Sequence, residues 1–146
     1  DASSHLLQSI PTFIETVESF EICVQQKKIL VIQSEEGLDR AAWAKVIHKK
    51  YLSGDIVFEG FGSRQKEAPT RQENNNLYAT LDGEEPATIF ISDIKNLPSD
   101  ERAETSKKLI AHSRKHDTKI FIGVEDVEEA NFLGEQNIVL LEVPPL

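Results

Sequence analysis

Lys28 to His48 reads K-I-L-V-I-Q-S-E-E-G-L-D-R-A-A-W-A-K-V-I-H, and this stretch decides the fold. Ile29 to Ile32 is a short, wholly apolar run, the pattern of a strand covered on both faces. An acidic turn follows, and Asp39 to Lys50 reads as a helix. Strand, loop and helix are the frame of a phosphate-binding P-loop, G-x-x-x-x-G-K-[ST]. Its glycines let backbone N–H groups close on phosphates, its lysine meets the outer phosphates and its hydroxyl holds magnesium. The corresponding positions are Ser34, Asp39, Arg40 and Ala41. Ser34 puts a side chain where the first glycine leaves space, and Asp39 puts a carboxylate beside a polyanion. Arg40 keeps the charge without the compact ammonium, and Ala41 cannot ligate a metal. Within the loop Ser34, Glu35, Glu36, Gly37, Leu38, Asp39, Arg40, Ala41, Gly37 is the one glycine that remains.

Helices and strands alternate along the rest of the chain. Residues 1–9 read as a linker and 10–146 as one core domain. Pro11 at a first helical turn opens a helix with Ile14, Val17 and Phe20 on one face. Asp55 to Phe58 is a second strand. Gly60 to Asn76, with two glycines, a proline and three consecutive asparagines, reads as an exposed loop. Leu77 to Leu81 forms one or two helical turns that end near Gly83. Thr88 to Ile91 is the third strand, and Ser99 is the expected cap of a helix with Asp100 and Glu101 in its first turn. That helix ends in H-S-R-K-H. Lys119 to Val124 and Ile138 to Val143 are two further strands, with a helix from Val127 to Leu133 between them. Such alternation implies an α/β fold of three layers: a largely parallel, five-stranded sheet with helices on both faces.

Composition narrows the function. A chain of 146 residues with 39% hydrophobic content builds one core. The formal net charge of −9 repels nucleic-acid phosphate, so direct DNA or RNA reading by this segment is not expected. No apolar run reaches membrane-spanning length and no signal-peptide pattern opens the chain, which makes a cytoplasmic location the expectation. The single cysteine, Cys23, excludes an intrachain disulfide and reads as a small buried hydrophobe. With no methionine present, an internal fragment of a longer protein is expected.

The order of motifs resembles the central AAA+ domain of bacterial enhancer-binding proteins, the sigma-54-dependent transcription activators. S-E-E-G-L-D-R-A-A-W-A-K-V-I-H aligns without a gap on that family's G-E-S-G-T-G-K-E-L-V-A-R-A-I-H. It shares Glu35, Gly37, Ala44, Ile47 and His48. A-T-I-F-I-S-D-I-K-N-L-P, Ala87 to Pro98, is similar to the Walker B strand G-T-L-F-L-D-E-I-G-E-L-P. The ending V-P-P-L matches the family's L-P-P-L, and Pro11 falls at its helix-opening proline. The resemblance covers about Ile10 to Leu146 and implies a P-loop NTPase-like AAA+ core.

Departures from the family bear on activity. Ser92 stands for the magnesium-linked aspartate, and Asp93 for the catalytic glutamate. The sensor strand reads I-G-V-E where the family has A-A-T-N, so Val124 and Glu125 replace threonine and asparagine. The sigma-contacting G-A-F-T-G-A loop has no counterpart between Phe58 and Leu77, so direct sigma-54 contact is not expected. The resemblance then implies a degenerate regulatory or oligomerising module of a bacterial transcription regulator. Its partners would be neighbouring domains of that regulator and further copies of itself. No catalytic residue, metal or cofactor is expected, with ATP or ADP bound weakly at most. Two alternatives stay open. One is a pseudo-receiver domain of two-component signalling, since I-L-V-I-Q-S-E-E and the strand before Ser92 also resemble response regulators. The other is a working sigma-54 activator ATPase with a non-standard P-loop.

Smaller constellations have plainer readings. His112 and His116 have the spacing of a metal pair, but Arg114 and Lys115 crowd them with positive charge, and complementation of the helix dipole accounts for them. Glu35, Glu36 and Asp93 gather at the carboxyl ends of the strands and read as a solvated acidic rim. Trp43 and His48 read as packing residues.

Overall fold

The computed structural model describes residues 18, 21–23, 25–34, 42–45, 48, 58–60 and 71–143, with backbone alone at 58–60 and 71–74. Residues 1–17, most of the degenerate loop (35–41), 61–70 and 144–146 lie outside them. Five strands form one parallel sheet: β1 Ile29–Gln33, β2 Phe58–Gly60, β3 Thr88–Ile91, β4 Lys119–Val124 and β5 Ile138–Glu142. Their order is β2-β3-β4-β1-β5, every neighbouring pair being parallel. In register, Val31 of β1 faces Ile122 on one side and Leu140 on the other.

The pleat sorts the apolar residues into two cores. Ile29, Val31, Ile89, Ile91, Ile120 and Ile122 fall on one face, and Leu30, Ile32, Phe90, Phe121 and Leu141 on the other. Each face is then covered as the direction of the crossovers requires. From β1 to β2 the chain moves one way along the sheet, and from β2 through β3 and β4 to β5 it moves the other way. Right-handed crossovers put the two directions on opposite faces. Helical residues 42–45, with Trp43 and Ala44 fully buried, therefore join the Phe90 and Phe121 face. The opposite face is covered by helix α1 (Arg71–Asp82) through Leu77 and Leu81, and by helix α2 (Arg102–Lys115) through Leu109. A 3-10 segment, Val127–Leu133, adds Ala130 and Leu133 there. Emptying the space under one large side chain, as in Phe121→Ala, would cost about 3–5 kcal/mol.

The strand reading holds for β3 and β4 residue for residue, and β2 starts where the expected second strand ends. Three local readings are corrected. The expected loop Gly60 to Asn76 gives way at Arg71 to α1, so its asparagines are helical. Asn75 and Asn76 sit on the exposed side, and burial of Leu77 and Leu81 one turn on outweighs the weak helix propensity of the asparagines. Ser99 does not cap α2: it is the first residue of a 3-10 turn, Ser99–Glu101, that Pro98 leads into, and no side chain caps either element. His112 is no exposed dipole partner. It is 3% exposed, with Nδ1 2.6 Å from Thr118 Oγ1 and Nε2 3.2 Å from the Gly83 carbonyl. A carbonyl only accepts, so Nε2 carries the proton. Thr118 Oγ1, which accepts from the Ala87 N–H at 3.3 Å, donates to Nδ1.

Before β1, the helical residues end in a Schellman arrangement: the Lys28 N–H donates to the Cys23 carbonyl at 2.9 Å, and Lys27 is left-handed, with φ of 54°. That turn aims the chain into β1. It also buries Cys23 against Leu30 and Phe121, as expected of the lone cysteine.

Candidate functional site: the crevice at the carboxyl ends of β1, β3 and β4

Open α/β sheets bind ligands outside the carboxyl ends of their strands, where neighbouring strands send their connections in opposite directions. In this sheet β1 and β4 are adjacent, and their onward connections diverge. The crevice there is bordered by Gln33 and Ser34 from β1 and by Val124 and Glu125 from β4. Ser92 and Asp93 follow from the end of β3, the next strand over. The sequence-derived candidates Ser34, Ser92, Asp93 and Glu125 thus belong to one end of the sheet. Glu35, Glu36, Gly37, Leu38, Asp39, Arg40 and Ala41 lie outside the described residues.

The protein's own groups join the borders of this crevice. The Ser34 N–H donates to the Val124 carbonyl at 3.1 Å, which extends the β1–β4 ladder into the first position of the loop. The Gln33 side-chain amide crosses to the Glu125 carbonyl at 2.9 Å. On the other side, the Val143 N–H donates to the Gln33 carbonyl at 3.0 Å. Ser34 is 5% exposed.

Asp93 is not part of a solvated rim. Its side chain is fully buried, and it caps the short 3-10 turn Ile94–Asn96 by accepting from the Lys95 N–H at 3.4 Å. Its other carboxylate oxygen lies 3.7 Å from the Lys95 ammonium. The same ammonium reaches across to β4 and donates to Glu125. Glu125 is held in turn: its N–H donates to the Glu129 carboxylate at 3.0 Å, from the 3-10 segment that Asp126 caps. The hydrogen bond to Glu125, reinforced by the negative charges of Asp93, Glu125 and Glu129, raises the Lys95 pKa against a smaller opposing effect of burial. The Lys95 ammonium thus lies between two acids that follow the ends of β3 and β4.

Sequence reading passed over Lys95. A signal lay in the resemblance, since Lys95 falls where the similar stretch D-E-I-G-E-L-P has a glycine. A glycine there can do no electrostatic work, whereas a lysine two residues after a buried aspartate can fold back on it.

Elsewhere, both ring nitrogens of His112 are engaged as above, and its ring centroid lies 4.6 Å from that of His116. Among the described residues no group of three His, Cys, Asp or Glu side chains is arranged to hold a metal ion. Among them, too, no helix is long and apolar enough to cross a membrane. No protein-family model matches the chain, and no curated protein matches it either.

Proposed function

We propose that this chain is a degenerate AAA+ module, similar to the sigma-54 interaction domain of bacterial transcription activators, that works through protein contacts and not through ATP hydrolysis. The observation that carries the reading is the Lys95 ammonium between Asp93 and Glu125, the two acids at the aligned Walker B and sensor positions. A site built for a magnesium-bound nucleotide needs those positions to attract a cation or to meet a γ-phosphate. Here the buried acid is already partnered by a cation, and Ser92 offers a hydroxyl in place of a carboxylate. Among the described residues, the groups Ser92, Asp93 and Glu125 do not suit a magnesium-bound nucleotide.

Strand order supports the AAA+ resemblance over the pseudo-receiver alternative. Residues aligned with P-loop, Walker B and sensor must surround one ligand, and they come from β1, β3 and β4, three neighbouring strands. A receiver has the order 2-1-3-4-5, with its aspartate strand beside β1. This sheet has β4 between β1 and β3, so the pseudo-receiver reading loses the adjacency its acidic site needs. A working ATPase with an unusual loop would need Asp93 to leave Lys95 and its capping role before it could serve in hydrolysis.

In this proposal the module signals to neighbouring domains, or to further copies of itself, through packing. Reconstruction of the motif is a direct test. Ser34→Gly, Asp39→Gly, Arg40→Lys and Ala41→Ser together should recover measurable ATP affinity over the unmodified chain, read by fluorescent-nucleotide titration. No gain would count against the alignment. Sedimentation velocity on the unmodified chain tests the self-association arm.

A further inference from the structure

We propose that the outer edge of β5 pairs with the β5 of a second copy of this chain, joining two sheets into one across a two-fold axis. This rests on the self-association proposed above and names its surface. β5 is the last strand of the sheet, and among the described residues β1 is its one neighbouring strand. The Val143 N–H donates to the Gln33 carbonyl of β1. In a parallel ladder the N–H and C=O of one residue point the same way, and the direction alternates along the strand. Leu141 and Val139 therefore also turn toward β1, while Ile138, Leu140 and Glu142 present their backbone groups outward. Sheet edges are commonly blunted by lysine, proline or a bulge. Ile138–Glu142, I-V-L-L-E, has none of these, and Leu140 at its centre is 37% exposed.

What fits this edge is the edge itself. Antiparallel pairing of two β5 strands along their whole length puts Leu140 opposite Leu140 of the second copy, on the axis, and Ile138 opposite Glu142 of the second copy. The outward-pointing residues then meet one another, which is the condition for hydrogen bonds between them. Ile29 and Val31 of β1, on the face that α2 covers, stand beside Ile138 and Leu140 in register, so Ile138, Leu140 and Glu142 carry their side chains on that face. α2 supplies a cation there: the Arg114 guanidinium donates to the Asn137 side chain at 2.8 Å, next to Ile138. Glu142 of the second copy arrives at this guanidinium, and the two-fold axis makes the contact twice. With a net charge of −9 on each copy, this local match of opposite charges is what selects the register. The two leucines cover one another at the centre. Because both copies use the same edge, the contact closes at a dimer.

The test is sedimentation velocity on the chain, on Leu140→Lys, on Arg114→Glu and Glu142→Arg singly, and on the two charge swaps combined. The unmodified chain should show a concentration-dependent dimer below about 0.2 mM. Leu140→Lys, which sets two ammonium groups against each other at the axis, should weaken that dimer about tenfold or more. Each single swap should weaken it about fivefold or more, since every lost pair counts twice across the axis. The combined variant restores opposite charges with their signs exchanged, and should return to within about twofold of the unmodified chain. A chain that stays monomeric to about 0.2 mM overturns the proposal. So does a dimer that Leu140→Lys leaves intact, or a pair of swaps whose losses merely add. Should Leu140→Lys not fold, the swap cycle decides alone. A dimer indifferent to all these substitutions overturns the β5 surface and leaves self-association standing through another. Tight nucleotide binding to the unmodified chain would sink the degenerate-AAA+ reading without touching this result.

Discussion

The carboxylate of Asp93, fully buried at the end of β3, stands 3.7 Å from the ammonium of Lys95, and its second oxygen accepts the Lys95 backbone N–H at 3.4 Å. One side chain therefore caps a turn and anchors a charge. Groups kept for catalysis are commonly costly to the fold, so their removal tends to be neutral or stabilising. Asp93 is arranged the other way round, as a structural acid.

Asp93→Ala should therefore destabilise the chain by about 1–2 kcal/mol, the sum of a lost cap and a lost ion pair with the partly exposed Lys95 ammonium. Asp93→Asn, which keeps an acceptor for the capped N–H, should cost about half as much. Urea unfolding reads both, and a neutral or stabilising Asp93→Ala would remove the structural role assigned to it.

His112 gives a pH dependence. Burial first, and the neighbouring His116 second, lower its pKa, while the bond to the Gly83 carbonyl raises it by less. The unfolded chain then binds a proton more readily than the folded one. The stability this group contributes is full above its ordinary value of about 6.5 and is lost as pH falls through the lower, folded value. The urea midpoint of the unmodified chain should fall more between about pH 7 and pH 5.5 than that of His112→Gln, which has no proton to gain there. Parallel profiles for the two proteins would show that His112 does not carry the effect.

Lys27 occupies a left-handed position, with φ of 54°, at the helix end before β1. Side chains other than glycine cost roughly 1–2 kcal/mol there. The Lys27 ammonium recovers part of this through an exposed hydrogen bond to the Arg114 carbonyl at 3.1 Å. Lys27→Gly should raise stability by about 0.5 kcal/mol or more, and Lys27→Val should lower it. Thermal unfolding of the pair gives the sign directly.

Burial pushes the Cys23 thiol up to about 12, with Lys28 offsetting only a little. Thiolate is the reactive species, so the folded chain should react with a thiol reagent at mildly alkaline pH no faster than it unfolds. Addition of urea past the midpoint should release one equivalent rapidly. Fast reaction of the folded chain would contradict the packing of Cys23 against Leu30 and Phe121.

How far this fold could be read from the chain depended on how local the determinants were. Thr88–Ile91 and Lys119–Val124 were legible because β-branched runs bounded by turn residues admit few other structures. Arg71–Asp82 was not, because Asn74, Asn75 and Asn76 speak for a loop, and only contacts made across the sheet by Leu77 and Leu81 reverse them. Strand order was beyond sequence reading altogether, since the same alternation of helices and strands serves 2-1-3-4-5 and 2-3-4-1-5 alike. At the crevice, the departures from the resembled motifs, the losses of glycine, lysine and hydroxyl in the loop, of an acid at Ser92 and of a threonine at Val124, were visible residue by residue. The gain at Lys95 was not, because its meaning depends on a bend that brings position 95 back to Asp93 and across to Glu125.

Titration calorimetry of the chain with ATP, ADP and a non-hydrolysable ATP analogue, with and without magnesium, tests the central claim most directly. A crevice already bridged by Lys95 should give no heat and no accompanying thermal shift up to millimolar nucleotide. Micromolar, magnesium-dependent binding would mean that Arg40 and Asp93 do the work of the missing motif, and would contradict the account.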